Sequence, residues 1–211
     1  MVELSYTFEE PTPLTSDTLD SAGRDAVQRL AVAGFAVTLG LARTEVAEVA
    51  AIAAQPGVAE YCPEDITRRF GSEEKAEAWM SRGRIVFLLR KMGESAIVGY
   101  GWTRPGRYEE LPDCDTAFGV RLSSEVAGRG LGSLFTAAIV SGSMAKGMRN
   151  IGLETWESNP GAWKTYLKAG AEFGQSKAGK RMTIIKSGRR TRRRQRDDVR
   201  MFMRFPQTFR S

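Results

Sequence analysis

A glycine-rich segment precedes a stretch whose apolar residues recur at helical spacing, and its main-chain amides can bind an anion without help from any side chain. Amide N–H groups at the beginning of a helix have no partner within the helix and lie at the positive end of its dipole. Such a loop suits a pyrophosphate, to which an arginine can add a charge. A plain turn before a helix is the alternative. The segment consists of Gly128, Arg129, Gly130, Leu131, Gly132 and Ser133.

Two residues further along the chain can move protons. The sequence contains no histidine, so acid–base chemistry must come from Glu, Asp, Tyr, Lys or Cys. Tyr166 follows Asn159 at helical spacing, and a role as a core tyrosine is its alternative. In a predicted strand at residues 150–157, alternation puts Glu154 on the face opposite Leu153. A carboxylate there can act as a general base through a water molecule, unless it is only a solvated or ion-paired glutamate.

The lack of histidine excludes Ser-His-Asp and Cys-His triads and histidine metal sites. The two cysteines, Cys62 and Cys114, form neither a disulfide framework nor a metal-ligand spacing, so we predict no metal site. Unpaired thiols favour a reducing compartment, and we expect a cytoplasmic protein. Cys114 as an acyl-accepting nucleophile is disfavoured because no neighbouring cation lowers its pKa.

No targeting or membrane segment is expected. The N-terminus lacks the basic region of a secretory signal. The longest apolar run, residues 31–42, contains two glycines and is shorter than the ~20 residues that a membrane span needs. We therefore expect no membrane contact.

Basic charge is concentrated near the C-terminus. The 211 residues carry a net charge of +6, but residues 177–211 hold 13 Lys/Arg and 2 Asp/Glu, which is +11, so the rest carries −5. Six arginines between Arg189 and Arg196 can contact nucleic-acid phosphates or an acidic partner; a solvated hairpin tip is the alternative. A second, acidic group either attracts a cationic substrate or, as we favour, solvates a loop: Glu109, Glu110, Asp113 and Asp115.

The order of the predicted elements is that of a mixed sheet with helices on both faces. We predict a helix from a cap at Ser16 or Asp17 to about Leu30, and another capped by Ser72. Further helices are predicted at about 44–55, 130–146 and 161–168. Strands are predicted at 35–41, 85–90, 96–102, 116–122, 150–157 and from Ala171 onward. Residues 182–185 and 199–205 are predicted to be the arms of a hairpin whose tip is residues 186–198.

Two spaced motifs in this order resemble the GNAT family of acyl-CoA-dependent N-acetyltransferases. The family's phosphate motif, Gln/Arg-x-x-Gly-x-Gly/Ala, matches residues 127–132 except that Ala127 stands where Gln or Arg is usual. Its later motif, Asn-x-x-Ala-x-x-x-Tyr-x-x-x-Gly, is matched by Asn159, Ala162, Tyr166 and Gly170. The resemblance covers residues 84–173 well and the flanks only by element order.

The resemblance implies a fold and a cofactor. The fold is a mixed, mostly antiparallel twisted sheet of about six or seven strands, flanked by helices on both faces. The cosubstrate is acetyl-CoA, with its pyrophosphate on residues 128–133 and its pantetheine arm along Val120, Arg121 and Leu122, while Asn159 helps to place the arm. An amide near Leu122 would polarise the thioester carbonyl.

The resemblance also implies roles for the two proton-moving residues. Tyr166 would protonate, or hydrogen-bond to, the departing thiolate. Glu154 would be the general base, as in the branch of the family that acetylates a ribosomal-protein alanine. Walls for the acceptor would come from residues 61–70 and 104–115, neither of which contains a recognisable motif.

We therefore predict an N-acetyltransferase in which an amine attacks the thioester directly. The amine is a small molecule, a protein N-terminus or a lysine. The alternative is a non-catalytic CoA-binding module whose arginine-rich hairpin binds nucleic acid or the ribosome. The predicted organisation is an N-terminal arm and short helix at residues 1–34, followed by the acetyltransferase domain at 35–211. Both the arm and the hairpin can cross to a second copy, which predicts a homodimer.

Overall fold

The computed structural model describes residues 8–94, 96–174, 183–193 and 196–205, with the backbone alone at 172–174, 183–193 and 196–200. Its helices are α1 (Ser21–Val32), α2 (Val46–Ala53), α3 (Pro56–Ala59), α4 (Glu73–Met80), α5 (Leu131–Ala145) and α6 (Pro160–Gly174). Its strands are β1 (Thr12–Pro13), β2 (Phe35–Leu39), β3 (Ile85–Lys91), β4 (Ile97–Pro105), β5 (Thr116–Leu122), β6 (Ile151–Trp156), β7 (Thr183–Arg193) and β8 (Arg196–Arg204). A π-helical segment, Asp65–Phe70, precedes α4.

The strands form a single mixed sheet in the order β1-β2-β3-β4-β5-β6-β8-β7. Every neighbouring pair is antiparallel except β5 and β6, which are parallel because the chain crosses over through α5 between them. The mixed, mostly antiparallel sheet predicted from the sequence is therefore confirmed. Within the described ranges the sheet has eight strands, where about six or seven were predicted, and the shortest is the two-residue β1.

The parallel pair opens into a gap. The pairing of β5 with β6 consists of Thr116 with Ile151 and Ala117 with Gly152. Beyond these pairs β5 continues to Leu122 and β6 to Trp156, while the other edge of β6 stays paired with β8. The two strands therefore diverge, and the edge of β5 that follows Ala117 has no neighbouring strand among the described residues. We call the space between the diverging strands the cleft.

Helices cover both faces of the sheet, as predicted. On one face Leu30 of α1, Phe135 of α5 and Ala169 of α6 share an apolar cluster with Phe87 and Leu89 of β3. On the other face a second cluster joins α2, the π-helical segment and α4 to the alternate residues of β3 and β4; it includes Val49, Phe70, Trp79, Leu88 and Tyr100. The alternation of β3 between the two clusters shows that both of its faces are buried.

The prediction misplaced the start of α1 and the end of α6. Helix α1 begins at Ser21, not after Ser16 or Asp17, because the Asp20 carboxylate accepts a hydrogen bond from the Gly23 amide at 2.8 Å. The strand predicted from Ala171 onward is wrong, since α6 continues to Gly174. Ala171 and Glu172 are good helix formers, and Ala169 and Gly170 before them are buried. By contrast, the cap predicted at Ser72 is confirmed by its bond from the Lys75 amide.

The C-terminal hairpin is longer than predicted. Strand β7 runs through Arg193 and β8 begins at Arg196, with pairs such as Arg192 with Asp197 and Arg190 with Val199. A register shift lies between Lys186 and Arg190. Much of the arginine run is thus on paired strands, and residues 194–195 lie outside the described ranges. The division of the chain at residue 34 stays a prediction. Within the described ranges, no helix is long and apolar enough to cross a membrane.

The cap of α1 supplies a test of the packing between α1 and α5. The Asp20 carboxylate also accepts a hydrogen bond from the Ser141 hydroxyl of α5 at 2.9 Å. We expect Asp20→Ala to lower the free energy of unfolding by about 1–2 kcal/mol, because a cap and an interhelical bond are both lost. Urea denaturation measures this. The matched control, Asp17→Ala at the exposed site of the sequence-predicted cap, should stay within about 0.5 kcal/mol of the parent. The opposite ranking would contradict the assigned cap.

Candidate active site

The glycine loop before α5 has the conformation that the sequence suggested. Gly128 and Gly130 have φ values of +79° and +80°, in the left-handed region that other residues rarely adopt. Two amides of the loop donate hydrogen bonds within it: Ala127 to the Ser123 carbonyl at 3.0 Å and Arg129 to the Val126 carbonyl at 3.4 Å. Among the described residues, no acceptor lies in range of the amides of Gly128, Gly130, Leu131 and Gly132. These amide groups, which have no acceptor among the described residues, therefore lie together where α5 begins.

The loop is held against the cleft by close packing at Gly132. A Cβ atom at this position would lie 3.0 Å from Cγ2 of Thr165 on α6 and 3.3 Å from Cδ1 of Leu122 on β5. The N-terminus of α5 therefore sits directly beside the end of β5. Arg129 is exposed, and the Ser133 hydroxyl donates to the Gly130 carbonyl at 3.1 Å. Only the main-chain donors and Arg129 of this segment are consequently available to a ligand.

The open edge of β5 presents alternate main-chain groups to the cleft. Ser123 donates its amide to Val98 of β4 at 2.9 Å, so the main-chain groups of Arg121 face β4 and those of Val120 and Leu122 face the cleft. The guanidinium Nη1 of Arg121, however, donates to the Val120 carbonyl at 2.8 Å. All three residues were predicted to lie along the pantetheine arm of the cofactor. In the structure the amides of Val120 and Leu122 face the cleft, while the carbonyl of Val120 already accepts a hydrogen bond from Arg121.

Tyr166 is buried beside this edge. Its side chain is 5% exposed, and its ring meets that of Phe118 edge to face with centroids 5.8 Å apart. Burial raises the pKa of Tyr166 to about 12, although the positive charge of Arg121 opposes the shift. In the described part of the chain the hydroxyl has no hydrogen-bond partner. The phenol is therefore protonated at neutral pH, and its hydroxyl can donate a hydrogen bond to a ligand.

Glu154 lies on the other wall of the cleft, on β6. It is exposed while Leu153 and Thr155 are buried, which agrees with the predicted alternation. Its carboxylate lies close enough to Tyr108, on the loop between β4 and β5, to help raise the pKa of that phenol, after the larger effect of burial. The two predicted catalytic residues are thus on opposite sides of one cleft. Their catalytic roles stay predictions.

Asn159 has a structural role that the sequence analysis missed. Its side-chain oxygen accepts a hydrogen bond from the Ala162 amide at 3.1 Å, at the beginning of α6. Asparagine is a preferred residue at this position, because it satisfies a helix amide that has no partner within the helix. Asn159 therefore fixes the start of the helix that carries Tyr166. Its predicted contact with the cofactor stays a prediction.

A buried ionic cluster beside the cleft was also missed. Asp65 is completely buried, and its Oδ2 accepts hydrogen bonds from the Tyr100 hydroxyl at 2.7 Å and from Arg121 Nε at 2.9 Å. Its Oδ1 accepts one from Arg69, four residues further along the π-helical segment. The four-residue spacing of Asp65 and Arg69 was visible in the sequence, but it is equally typical of an exposed helix pair. Burial and the pairing with Arg121 are tertiary facts.

The remaining thiols and carboxylates fit structural roles. Burial raises the pKa of the Cys114 thiol to about 11, so an activated nucleophile is not found there. Burial likewise raises the pKa of Cys62. In the acidic loop, Asp113 pairs with Arg204 at 3.1 Å and Asp115 accepts from Asn150 at 3.2 Å, which favours the loop interpretation. Across the described ranges, no group of three or more candidate ligands could hold a metal ion.

The ionic cluster gives a strong stability prediction. Asp65→Asn removes the charge that two partly buried guanidiniums share, and unpairing a buried ion typically costs about 3–5 kcal/mol. We expect a loss of this size in the free energy of unfolding, measured by urea denaturation. Asp25→Asn is the matched control, because its pair with Arg29 joins side chains that are 54% and 46% exposed. That change should cost at most about 0.5 kcal/mol. Equal effects would show that Asp65 is not paired as described.

Comparisons with known proteins bear on the fold. No protein-family model matches the chain. Over 108 residues it is 29% identical to a mycothiol acetyltransferase of Rhodococcus opacus, a match that covers 50% of this chain but 35% of that protein. The chain thus spans about a third of the length of this curated relative.

Solved structures give broader matches. A GNAT-family acetyltransferase from Bacillus anthracis superposes with a TM-score of 0.56 at 13% identity, covering 80% of this chain and 93% of that one. The aminoglycoside acetyltransferase AAC(6')-Ib, in complex with paromomycin and acetyl-CoA, gives a TM-score of 0.51 at 15% identity, with coverages of 79% and 92%. Likeness at this identity is evidence of a shared fold, and the chain has the fold of the GNAT-family acetyltransferases.

Proposed function

We propose that the chain is an N-acetyltransferase that transfers an acetyl group from acetyl-CoA to an amine. The observation that carries the proposal is the set of open amides at residues 128–132, beside a cleft that contains the protonated phenol of Tyr166. The Rhodococcus relative is an acetyltransferase by name, and AAC(6')-Ib was crystallised with acetyl-CoA. Both facts support this reading of the cleft.

The described residues suit two parts of the coenzyme, its pyrophosphate and its pantetheine arm. The amides of Gly128, Gly130, Leu131 and Gly132 suit the pyrophosphate, with Arg129 as an added charge. The absence of Gln or Arg at position 127 matters little, because the main chain provides these donors. The amides of Val120 and Leu122 suit the extended pantetheine arm, in the manner of a strand added to an open sheet edge.

The chain's residues can then assist direct transfer. Bound acetyl-CoA supplies a thioester, which an amine converts to an amide while coenzyme A leaves as the free thiol. The Leu122 amide would donate to the carbonyl oxygen, where negative charge develops. Tyr166 would donate to the leaving sulfur, and its hydroxyl needs only to hydrogen-bond there, because a phenol is a weaker acid than a thiol. Glu154, across the cleft, would take the proton that the amine loses, through a water molecule.

The Tyr166 role predicts a specific kinetic change. Tyr166→Phe should lower kcat by about 100-fold, since general-acid assistance contributes roughly 10²–10⁴. KM for acetyl-CoA should change by less than about threefold, because the binding amides remain. Thiol release from acetyl-CoA with a panel of amines measures both values. Ser81→Ala is the control, because this exposed hydroxyl donates to the Ala78 carbonyl at 3.1 Å, outside the segments that border the cleft; it should keep kcat within about threefold. An unchanged kcat in Tyr166→Phe would remove this residue from the mechanism.

A non-catalytic CoA-binding module with a nucleic-acid-binding hairpin is the second candidate. The observation in its favour is that β7 and β8 continue as paired strands through most of the arginine run, with Arg193 opposite Arg196. A filter-binding titration with RNA and DNA at two salt concentrations tests it, because phosphate contacts make binding steeply salt-dependent. The cytoplasmic location and the homodimer also stay predictions, as does the choice between a small amine and a protein amine.

A further inference from the structure

Arg121 brings a positive charge into the cleft from the face of the sheet that lies opposite α5. Its neighbours Val120 and Leu122 pack on the cluster that contains α5, so alternation puts Arg121 on the other face, with Tyr100 and the π-helical segment. The same charge acts on the Tyr166 phenol and on the Cys62 thiol. The guanidinium therefore lies near both the tyrosine and Cys62, on the face of the sheet opposite α5.

The hydrogen-bonding capacity of Arg121 is only partly used. A guanidinium has five N–H donors. One, on Nε, donates to Asp65, and one, on Nη1, donates to the Val120 carbonyl. For the others, no acceptor is found among the described residues. The side chain is only 13% exposed, so bulk water can satisfy these donors incompletely, and a ligand group that accepts them would be favoured.

The charge of Arg121 is also incompletely balanced. Asp65, its carboxylate partner, is shared with Arg69 and accepts the Tyr100 hydroxyl as well. The other carboxylate of the cluster, Glu64, contacts Arg69 at 3.6 Å and is 39% exposed, so solvent screens it. Neither carboxylate pairs with Arg121 alone. An anionic group placed against its open donors would complete the pairing with the planar geometry that guanidinium and carboxylate share.

We propose that the acceptor is an amine that also carries a carboxylate, an amino-acid-type substrate whose carboxylate binds Arg121 while its amino group faces Glu154. The inference rests on the proposed function and narrows its substrate class. We assign the carboxylate to the acceptor because Arg121 lies on the face of the sheet opposite α5. The amides that suit the coenzyme are at the start of α5. A carboxylate on the acyl group is the competing source.

Matched pairs of ligands test the proposal directly. The twenty standard L-amino acids and their C-terminal amides are titrated by calorimetry into the CoA-saturated protein, and are assayed for thiol release with acetyl-CoA. At least one acid should bind, and react, about 10-fold or more better than its amide, the difference expected for one charge-assisted interaction. Absence of an acid preference in all twenty pairs would overturn the proposal, whether the amides are preferred or neither form binds.

A variant assigns the preference to Arg121. In Arg121→Gln the ratio of acid to amide, in binding and in thiol release, should fall by about 10-fold. Arg121→Lys should recover only part of this loss, because a lysine retains the charge without the planar fork. Thermal melting and CoA titration check that each variant is folded. A preference that survives in both folded variants would overturn the role of Arg121. If neither folds, the ratio of acid to amide in the parent protein decides.

Further measurements distinguish a failure of this inference from a failure of the proposed function. Succinyl-CoA used at least 10-fold better than acetyl-CoA, with that gain lost in Arg121→Gln, would move the carboxylate to the acyl group and overturn the acceptor assignment. Failure of the parent protein to bind CoA would overturn the proposed function itself. Binding of CoA together with acetylation of amides and uncharged amines in preference to acids would overturn only this inference.

Discussion

The site depends on the shortness of the parallel contact between β5 and β6. Two residue pairs join the strands before they diverge, so main-chain groups that a longer ladder would have consumed remain open at the edge of β5. Buried main-chain donors without partners are costly, and such an edge is stable only where water or a ligand can satisfy it. The crossover through α5 makes the pair parallel and also brings the N-terminus of α5 to the end of that edge. A single feature of connectivity thus creates the cleft and puts amides without described acceptors at its end.

The ionic cluster stabilises the wall of this cleft. Asp65 ties the π-helical segment to β4 through Tyr100 and to β5 through Arg121, and Arg121 in turn binds the main chain of its own strand. A buried cluster of charges seldom stabilises a protein more than apolar side chains of similar volume would, because desolvation offsets much of the attraction. What the cluster provides is position: it fixes a guanidinium near Tyr166 and holds the π-helical segment at a set distance from β5. Irregular helical turns of the π type are frequently found at functional sites.

Sequence patterns identified the residues whose function is carried by the main chain or by local spacing. The glycine loop, the beginning of α5, the alternation around Glu154 and the helical position of Tyr166 all follow from short-range rules. The wrong predictions fall where contacts between residues distant in the sequence determine the structure. Asp20 caps α1 partly because Ser141 of α5 lies beside it, and α6 extends past the predicted end because its buried residues pack on α5. The pairing of β7 with β8 carries the strands into a run that composition alone suggested to be a loop.

By itself, therefore, the sequence determined the architecture and the glycine turn before α5, because periodicity and the need for glycine at positive φ are local properties. It also put a phenol and a carboxylate on the elements that follow that turn. Only the tertiary structure decided that the two lie across one cleft, that Asn159 caps α6, and that the Val120 carbonyl is occupied. It alone paired Asp65 with Arg121, 56 positions apart, because the charge around a buried group is set by the elements that fold against it and not by its neighbours in the chain.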